Sequence, residues 1–500
     1  MLHKNTLQIP EIADVVASFL QPQDLATCVC VSRSWREVFL PLQWQAIELG
    51  CKADHKDTLP NPGLFGPPPD VVSSYRHLIH NLTLVKEVTP FIQHQYPNVH
   101  TLTIDYTGAA HFRLVYFHVS LDLKGTFPSL VELALTKATL VPGLWKALAD
   151  YSRIKSLRLE DIRIDPDSIQ AFWKVVESLE VLEMKKTPFP NLDRKLRTDI
   201  KFYQLRKLLL DLFSMANLPR IYLIARCPSL EDLEWTEDLG SRFSFGHALQ
   251  HACWPHLERM STSFPFRDDE LALMLARIGD GRGKLAQLKL VRCRLGTNAS
   301  AALGLHFNTL VEVNITDNQT VLSTTPRDLL CHCPRLEVLE ARNLMAKDIV
   351  AGGPWVCQRL RKLTACFWFE ESEKGLQQEI FERLSKLTRL EELSIHVLKK
   401  GAMNGYVLKF RLEYGMGQLA SLRELTTFHF VSDIDGCYAD LGMAEIEWIK
   451  DHWKKLKRVK GSLNSCNTTH YNLKVAFEEH GIAVIDQIPN TITNNKTRNE

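Results

Sequence analysis

The feature that most constrains this chain is a short apolar phrase, L-x-x-L-x-L with conservative replacements, that returns along most of its length. It reads IHNLTL (79–84), VHTLTI (99–104), LVELAL (130–135), IKSLRL (154–159), LEVLEM (179–184) and LRKLLL (205–210). It continues as LEDLEW (230–235), LERMST (257–262), LAQLKL (285–290), LVEVNI (310–315), LEVLEA (336–341) and LRKLTA (360–365). LEELSI (390–395), LRELTT (422–427) and LKRVKG (456–461) complete the series.

Between Leu133 and Leu363 the fourth position recurs every 24 to 28 residues, the period of a leucine-rich repeat. Within a unit, Leu157 and Leu159 point to one face of a short strand, and Ser156, Arg158 and Glu160 to the other. Stretches between units, such as 166–177 (PDSIQAFWKVVE) and 375–387 (GLQQEIFERLSKL), repeat their apolar residues at three and four positions, as helices do. One strand–helix unit cannot cover its own apolar face, so neighbours must stack. The predicted architecture is α/β: a curved solenoid with a parallel sheet on its concave side and helices on its convex side. Cys-Pro or aromatic-Pro opens many units (CPSL 227–230, CPRL 333–336, FPSL 127–130, WPHL 254–257), where proline stops the preceding helix and favours extended backbone. Only 310–318 and 285–295 carry the expected polar Asn or Cys after the strand. Thr187, Phe213, Pro265 and Leu344 stand there elsewhere.

The organisation that follows is a helical module over 1–48, a Pro/Gly-rich linker over 49–75, about fifteen irregular repeats over 76–485 and a disordered tail over 486–500. DTLPNPGLFGPPPD (57–70) carries the linker composition, and 399–417 and 432–442 are insertions in late repeats. Sixty Lys plus Arg balance 58 Asp plus Glu, a formal charge of +2, so neither nucleic acid nor an anionic membrane is expected as partner. Twelve scattered cysteines are too few for a disulfide scaffold and fit reduced thiols in the cytoplasm or nucleus. No secretory signal or membrane-spanning run is apparent.

Before the repeats, IPEIADVVASFLQPQDLATCVCVSRSWREVF (9–39) reads as three short helices. Ile12, Val15, Val16, Phe19 and Leu20 form the stripe of the first. Pro22 restarts a second carrying Leu25, Cys28, Val29 and Val31, and Ser32 caps a third bearing Trp35, Val38 and Phe39. So small a module leaves apolar surface for a partner to cover. Ile9-Pro10-Glu11-Ile12, Val16, Leu20, Asp24-Leu25, Val31-Ser32-Arg33 and Trp35 together resemble an F-box. Glu11 follows Pro10 directly, without the usual spacer, and Cys28 and Cys30 replace common aliphatics. With the repeats behind it, the chain resembles the F-box/leucine-rich-repeat substrate receptors, in particular divergent fungal-type members. That resemblance implies a non-catalytic substrate-recognition subunit of an SCF-type (Skp–cullin–F-box) ubiquitin ligase, whose repeats hold a protein substrate for ubiquitin-dependent degradation. Ile9, Pro10, Ile12, Val16, Leu20, Leu25, Val31 and Trp35 would contact a Skp-type adaptor, and through it a cullin, or support that contact as core. A leucine-rich-repeat scaffold acting outside a ligase is the alternative.

No cofactor or metal is expected. Gly279-Asp280-Gly281-Arg282-Gly283-Lys284 has neither the spacing nor the following hydroxyl of a phosphate loop. Cys331-His332-Cys333 lacks a second pair at finger spacing, and Asp433-Ile434-Asp435-Gly436 is too short for a calcium loop. The residues flanking the inward leucines are the candidate substrate face: Arg158, Glu183, Asp232, Glu234, Lys289, Asn314, Glu340 and Arg342, with Glu160, Lys185, Ser261, Ser394 and His396 beside them. The acidic run 231–238 contrasts with the basic run 454–460, and its charge would attract a basic segment.

Overall fold

A computed structural model of the chain describes residues 10–51, 64–65, 67–85, 91, 93–105, 122–137, 142–188, 201–212, 223–237, 249, 252–279, 284–318, 320–369, 375–397, 408–432, 439, 441–461, 463–464 and 467–485. Ile9, Phe213, the glycine run 280–283, most of 57–70, residues 399–407 and 433–438 of the insertions, and the tail 486–500 lie outside them. The chain divides into two compact units, Met1–Leu230 with Glu237–Leu239, and Glu231–Thr236 with Gly240–Glu500.

The first unit opens with three helices, α1 (Pro10–Ala17), α2 (Pro22–Val31) and α3 (Arg33–Gln45). Pro10 and Pro22 occupy first helical positions, and the Ser32 hydroxyl accepts the Trp35 amide at 3.2 Å, the cap expected from sequence. The sheet then runs through β1 (Ala46–Cys51), β2 (Leu64–Phe65), β3 (Asn81–Val85), β4 (Thr101–Asp105), β5 (Glu132–Thr136), β6 (Ser156–Glu160), β7 (Val181–Lys185) and β8 (Lys207–Leu212). Neighbours from β1 through β3 to β8 pair in parallel, and β2 lies antiparallel on the outer edge of β1. Sheet therefore begins at Ala46, inside the span read as helical module and linker. The physical reason is a short alternation, Ile47 and Leu49, that pairs with Leu82 and Leu84 of β3 and continues the same apolar rows. A helix, Pro69–Tyr75, also lies in the span read as linker, and its Tyr75 stacks on buried Trp44 of α3 at 4.6 Å.

The second unit holds β9 (Asp232–Glu237) except its last residue, β10 (Arg259–Thr262), β11 (Gln287–Leu290), β12 (Arg294–Leu295), β13 (Glu312–Asn314), β14 (Thr320–Val321), β15 (Val338–Met345), β16 (Lys362–Trp368), β17 (Glu392–Val397), β18 (Thr427–Ser432), β19 (Arg458–Gly461) and β20 (Ala483–Ile485). Ten of these form one all-parallel sheet from β9 to β20, while β12 and β14 pair separately. The inner row Leu233, Met260, Leu288, Val313, Leu339, Leu363, Leu393, Phe428 and Val459 is almost wholly buried. Each such side chain withdrawn from water is worth about 1.5–3 kcal/mol, and that gain requires the adjacent repeat. The helices cover the inner side, as Phe172, Trp173, Val175 and Val176 do in Ile169–Ser178 and Ile380, Phe381 and Leu384 do in Gln377–Ser385.

One repeat is phased differently from its sequence reading. Leu393 of β17 pairs with Phe428, not Leu425, so the strand of that unit is TFHFVS rather than the second half of LRELTT. The cause is a turn that precedes the strands. Leu230, Leu257, Leu336, Leu360, Leu390 and Leu425 each donate their amide to the carbonyl three residues earlier. That earlier residue is Cys or Trp in four of these turns and a leucine in two, Leu387 and Leu422; at Leu422 the leucine pair 422/425 mimics the start of a strand phrase one turn early. In the Pro-containing units the proline sits second in this turn, where its fixed φ suits the geometry.

A second recurrent device closes the strands. Lys137, Asp161, Lys186 and Arg292 have positive φ (52°, 53°, 50° and 61°), and each donates its amide to the neighbouring repeat, to Glu160, Lys185, Asp211 and Asp317 respectively. Beyond them, Asn318 links three backbone groups: it accepts from Cys293 N (2.8 Å) and donates to the carbonyls of Leu290 and Ile315. Thr187, read from sequence as a departure, does the same work with a smaller side chain. Its buried hydroxyl accepts the Ile162 amide at 3.2 Å and donates to the Lys185 carbonyl at 3.0 Å.

Candidate functional site

Strand register puts the outward residues of each unit into rows. In the first unit, Thr83, Thr103, Ala134, Arg158, Glu183 and Leu209 share one row. Arg158 and Glu183 are thus neighbours, as their sequence positions imply. Glu183 is nearly buried between Arg158 Nε at 3.6 Å and Lys207 Nζ at 2.9 Å. Its charge is spent internally, so this patch offers little unsatisfied charge to a ligand.

In the second unit the corresponding row is Glu234, Ser261, Lys289, Asn314, Glu340, Thr364, Ser394, His429 and Lys460. A parallel row two residues earlier contains Asp232, Arg259, Gln287, Glu312, Val338, Lys362, Glu392, Thr427 and Arg458. Over β9–β15 the two rows line a depression of about 400 Å³ that includes Asp232, Glu234, Lys289, Asn314 and Glu340. Five of the eight face residues expected from sequence are therefore brought together.

Their chemistry differs. Glu340 accepts from Asn314 Nδ2 and Lys362 Nζ, both at 2.5 Å, and Asn314 Oδ1 is in turn held by Thr316. The hydrogen bond to Glu340 raises the Lys362 pKa. Asp232 pairs with Arg259 at 3.2 Å. Glu234 and Lys289, by contrast, have no ion-pair partner among the described residues. Arg342 is not in either row. It follows Glu340 by two residues, within the register shift between Ala341 and Leu344, and pairs with Asp317 at 3.2 Å.

Farther along the face, His429 Nδ1 lies 3.1 Å from the Ser394 hydroxyl. Burial lowers its pKa, and Lys460, Arg458 and His396 add to the lowering against Glu392. His429, Arg458, Lys460, Gln287 and Glu312 were absent from the sequence-level set. Gln287 and Glu312 lie one alternation before Lys289 and Asn314, and His429 was hidden by the early phasing at Leu422. The signal that finds it is the Phe428–Phe430 alternation.

The three-helix module presents a different surface. Phe39, Trp44 and Ala13 are buried, and Trp35 packs on Phe39 with ring centroids 5.4 Å apart. Ile12, Val16, Leu20, Leu25 and Trp35 are half-buried, whereas Val15, Phe19 and Val31 are 59%, 81% and 60% exposed. The stripe expected on α1 is thus split, and its outer members face solvent. Pro10 starts the helix, and its side chain lies outside the described residues, as does the whole of Ile9.

Elsewhere, Cys331 and Cys333 are buried and His332 is exposed, stacking on Phe307. Among the described residues no group of three or more His, Cys, Asp or Glu is placed to hold a metal, and no helix is long and apolar enough to cross a membrane.

No family model matches the chain, and no curated protein matches it. Solved structures do. The chain is similar to an internalin (inlF) from Listeria monocytogenes, at 13% identity and a TM-score of 0.42, covering 72% of this chain and 87% of that one. It is also similar to TLR13 in its complex with ssRNA13, at 13% identity and a TM-score of 0.39, covering 84% of this chain and 59% of that one.

Proposed function

We propose that the chain is a non-catalytic substrate-recognition subunit of an SCF-type ubiquitin ligase, its first three helices docking on a Skp-type adaptor and its sheet face holding a protein substrate. The observation that carries this reading is the exposed apolar set Val15, Phe19 and Val31 on a helical module whose sequence resembles the F-box pattern. Exposed aromatic and aliphatic side chains on a small module are what a partner interface uses. In the family that this chain resembles, the adaptor leads to a cullin and the repeats supply proximity: tethering raises the effective concentration of substrate beside the ubiquitin carrier. The repeats need no catalytic group for that role.

Phe19→Asp tests the reading. At 81% exposure the change leaves the unfolding midpoint nearly unmoved. It is expected to weaken co-purification with a Skp-type adaptor at least tenfold. Equal capture of wild type and variant would defeat the assignment. Adaptor capture without cullin recruitment would favour the second reading, a binding scaffold working outside a ligase, which the charged sheet face accommodates equally well.

A further inference from the structure

The open face of the second unit segregates its unneutralised charge. Its middle is internally paired, Glu340 with Lys362 and, at the turn, Arg342 with Asp317. At one end, over β9–β13, the carboxylates Asp232, Glu234 and Glu312 face Arg259 and Lys289. Once Asp232 is assigned to Arg259, Glu234 and Glu312 outnumber Lys289; Glu312 also feels Lys362 two strands on, whereas Glu234 has no ion-pair partner among the described residues. At the other end, Arg458 and Lys460 project from β19 beside His429, and neither has a carboxylate partner among the described residues. Glu392, two strands away in the row of Arg458, is the nearest carboxylate in register. Eight strand spacings separate β9 from β19, about 38 Å at roughly 4.8 Å each, which an extended chain of about twelve residues spans.

We infer that this face binds an extended peptide segment of opposite polarity, with Lys or Arg at the end lying over β9–β13 and Asp or Glu at the end lying over β18–β19. A protein partner exposing such a bipolar segment would be held in one direction, because reversal places like charges together at both ends. The inference rests on the sheet face being the substrate surface; it does not need the ligase assignment.

The test uses the full chain and labelled fourteen-residue peptides read by fluorescence anisotropy at low and physiological salt. One peptide carries three lysines at one end and three glutamates at the other. A second, of identical composition, alternates them, and two more are wholly basic or wholly acidic in charge. The bipolar peptide is expected to bind at least tenfold tighter than the alternating one, with affinity falling as salt rises. Glu234→Lys with Glu312→Lys weakens it about tenfold, and so does Arg458→Glu with Lys460→Glu. Combining the four changes restores binding, since the peptide then lies in the opposite direction. Equal affinity for bipolar and alternating peptides overturns the inference, as does a wholly acidic peptide matching the bipolar one. Binding to none of them also overturns it. Adaptor capture measured on the same preparation separates the readings: capture without peptide selectivity overturns this inference alone, and selectivity without capture overturns the ligase reading alone.

Discussion

Two buried residues make single-side-chain tests of how the repeats are held. Thr187 satisfies the Ile162 amide from the preceding repeat, so Thr187→Val keeps the shape and strands that donor. A loss of about 1–3 kcal/mol is expected, seen as a lower urea midpoint, with Thr187→Ser near wild type. A valine variant as stable as the serine one would remove the hydroxyl from this role. His306 is fully buried with Nε2 3.0 Å from the Leu275 carbonyl, and burial lowers its pKa below the usual value. The folded chain therefore holds it neutral while the unfolded chain takes up a proton below about pH 6.5. Stability is flat above that pH from this group and falls as pH drops below it, His429 acting in the same direction. Thermal midpoints between pH 7 and pH 5 should decline more steeply for wild type than for His306→Gln. Parallel declines would show that His306 does not contribute. Neither role was legible in the sequence, where Thr187 looked like a failed asparagine and His306 was one of 18 histidines.

One helix of the second unit borrows its cap from the neighbouring repeat. Asp268, the first residue of helix Asp268–Ala276, accepts the amides of Asn298 (3.0 Å) and Ala299 (2.9 Å) at the start of helix Thr297–Leu303. It thereby supplies both a hydrogen-bond acceptor and a negative charge at that helix's N-terminus. Gly296 gives it room, because a Cβ there would lie 2.7 Å from the Asp268 carboxyl carbon. Asp268→Ala should cost about 1–2 kcal/mol, with local amide exchange in 297–303 accelerating before the rest of the second unit. Uniform acceleration across that unit would argue against a local cap. Strand positions were largely readable from the repeating leucines, and so were the helices at 169–178 and 377–385. Inter-repeat caps were not, since a residue thirty positions away carries no local signature. The misphased strand at 427–432 shows the same limit: two leucines three apart fit both a strand phrase and the turn before it, and only pairing with β17 decides between them.

At the scale of the whole molecule, each unit is a stack in which every repeat covers the next, and a stack needs ends. β1 closes one edge of β3 in the first unit, with β2 beyond it. A chain beginning at Arg33 should retain the urea midpoint of the first unit. One beginning at Lys52 should lose stability and self-associate, because Leu82 and Leu84 then border an open strand edge. Equal behaviour of the two truncations, followed by urea unfolding and light scattering, would show that β1 is not a cap. By itself the sequence determined the repeat, its period, the burial of alternate leucines and the three helices ahead of it, because these follow from periodicity and from prolines and caps within a few residues. The tertiary structure alone decided that β1 belongs to the sheet and that Phe19 faces solvent while Phe39 does not. It also decided that Glu234, Lys289, Asn314, Glu340, His429 and Lys460 fall into one row. Parallel strands separated by loops and helices of unequal length have no register until they pair, and a charge has no neighbour across a sheet until that register exists.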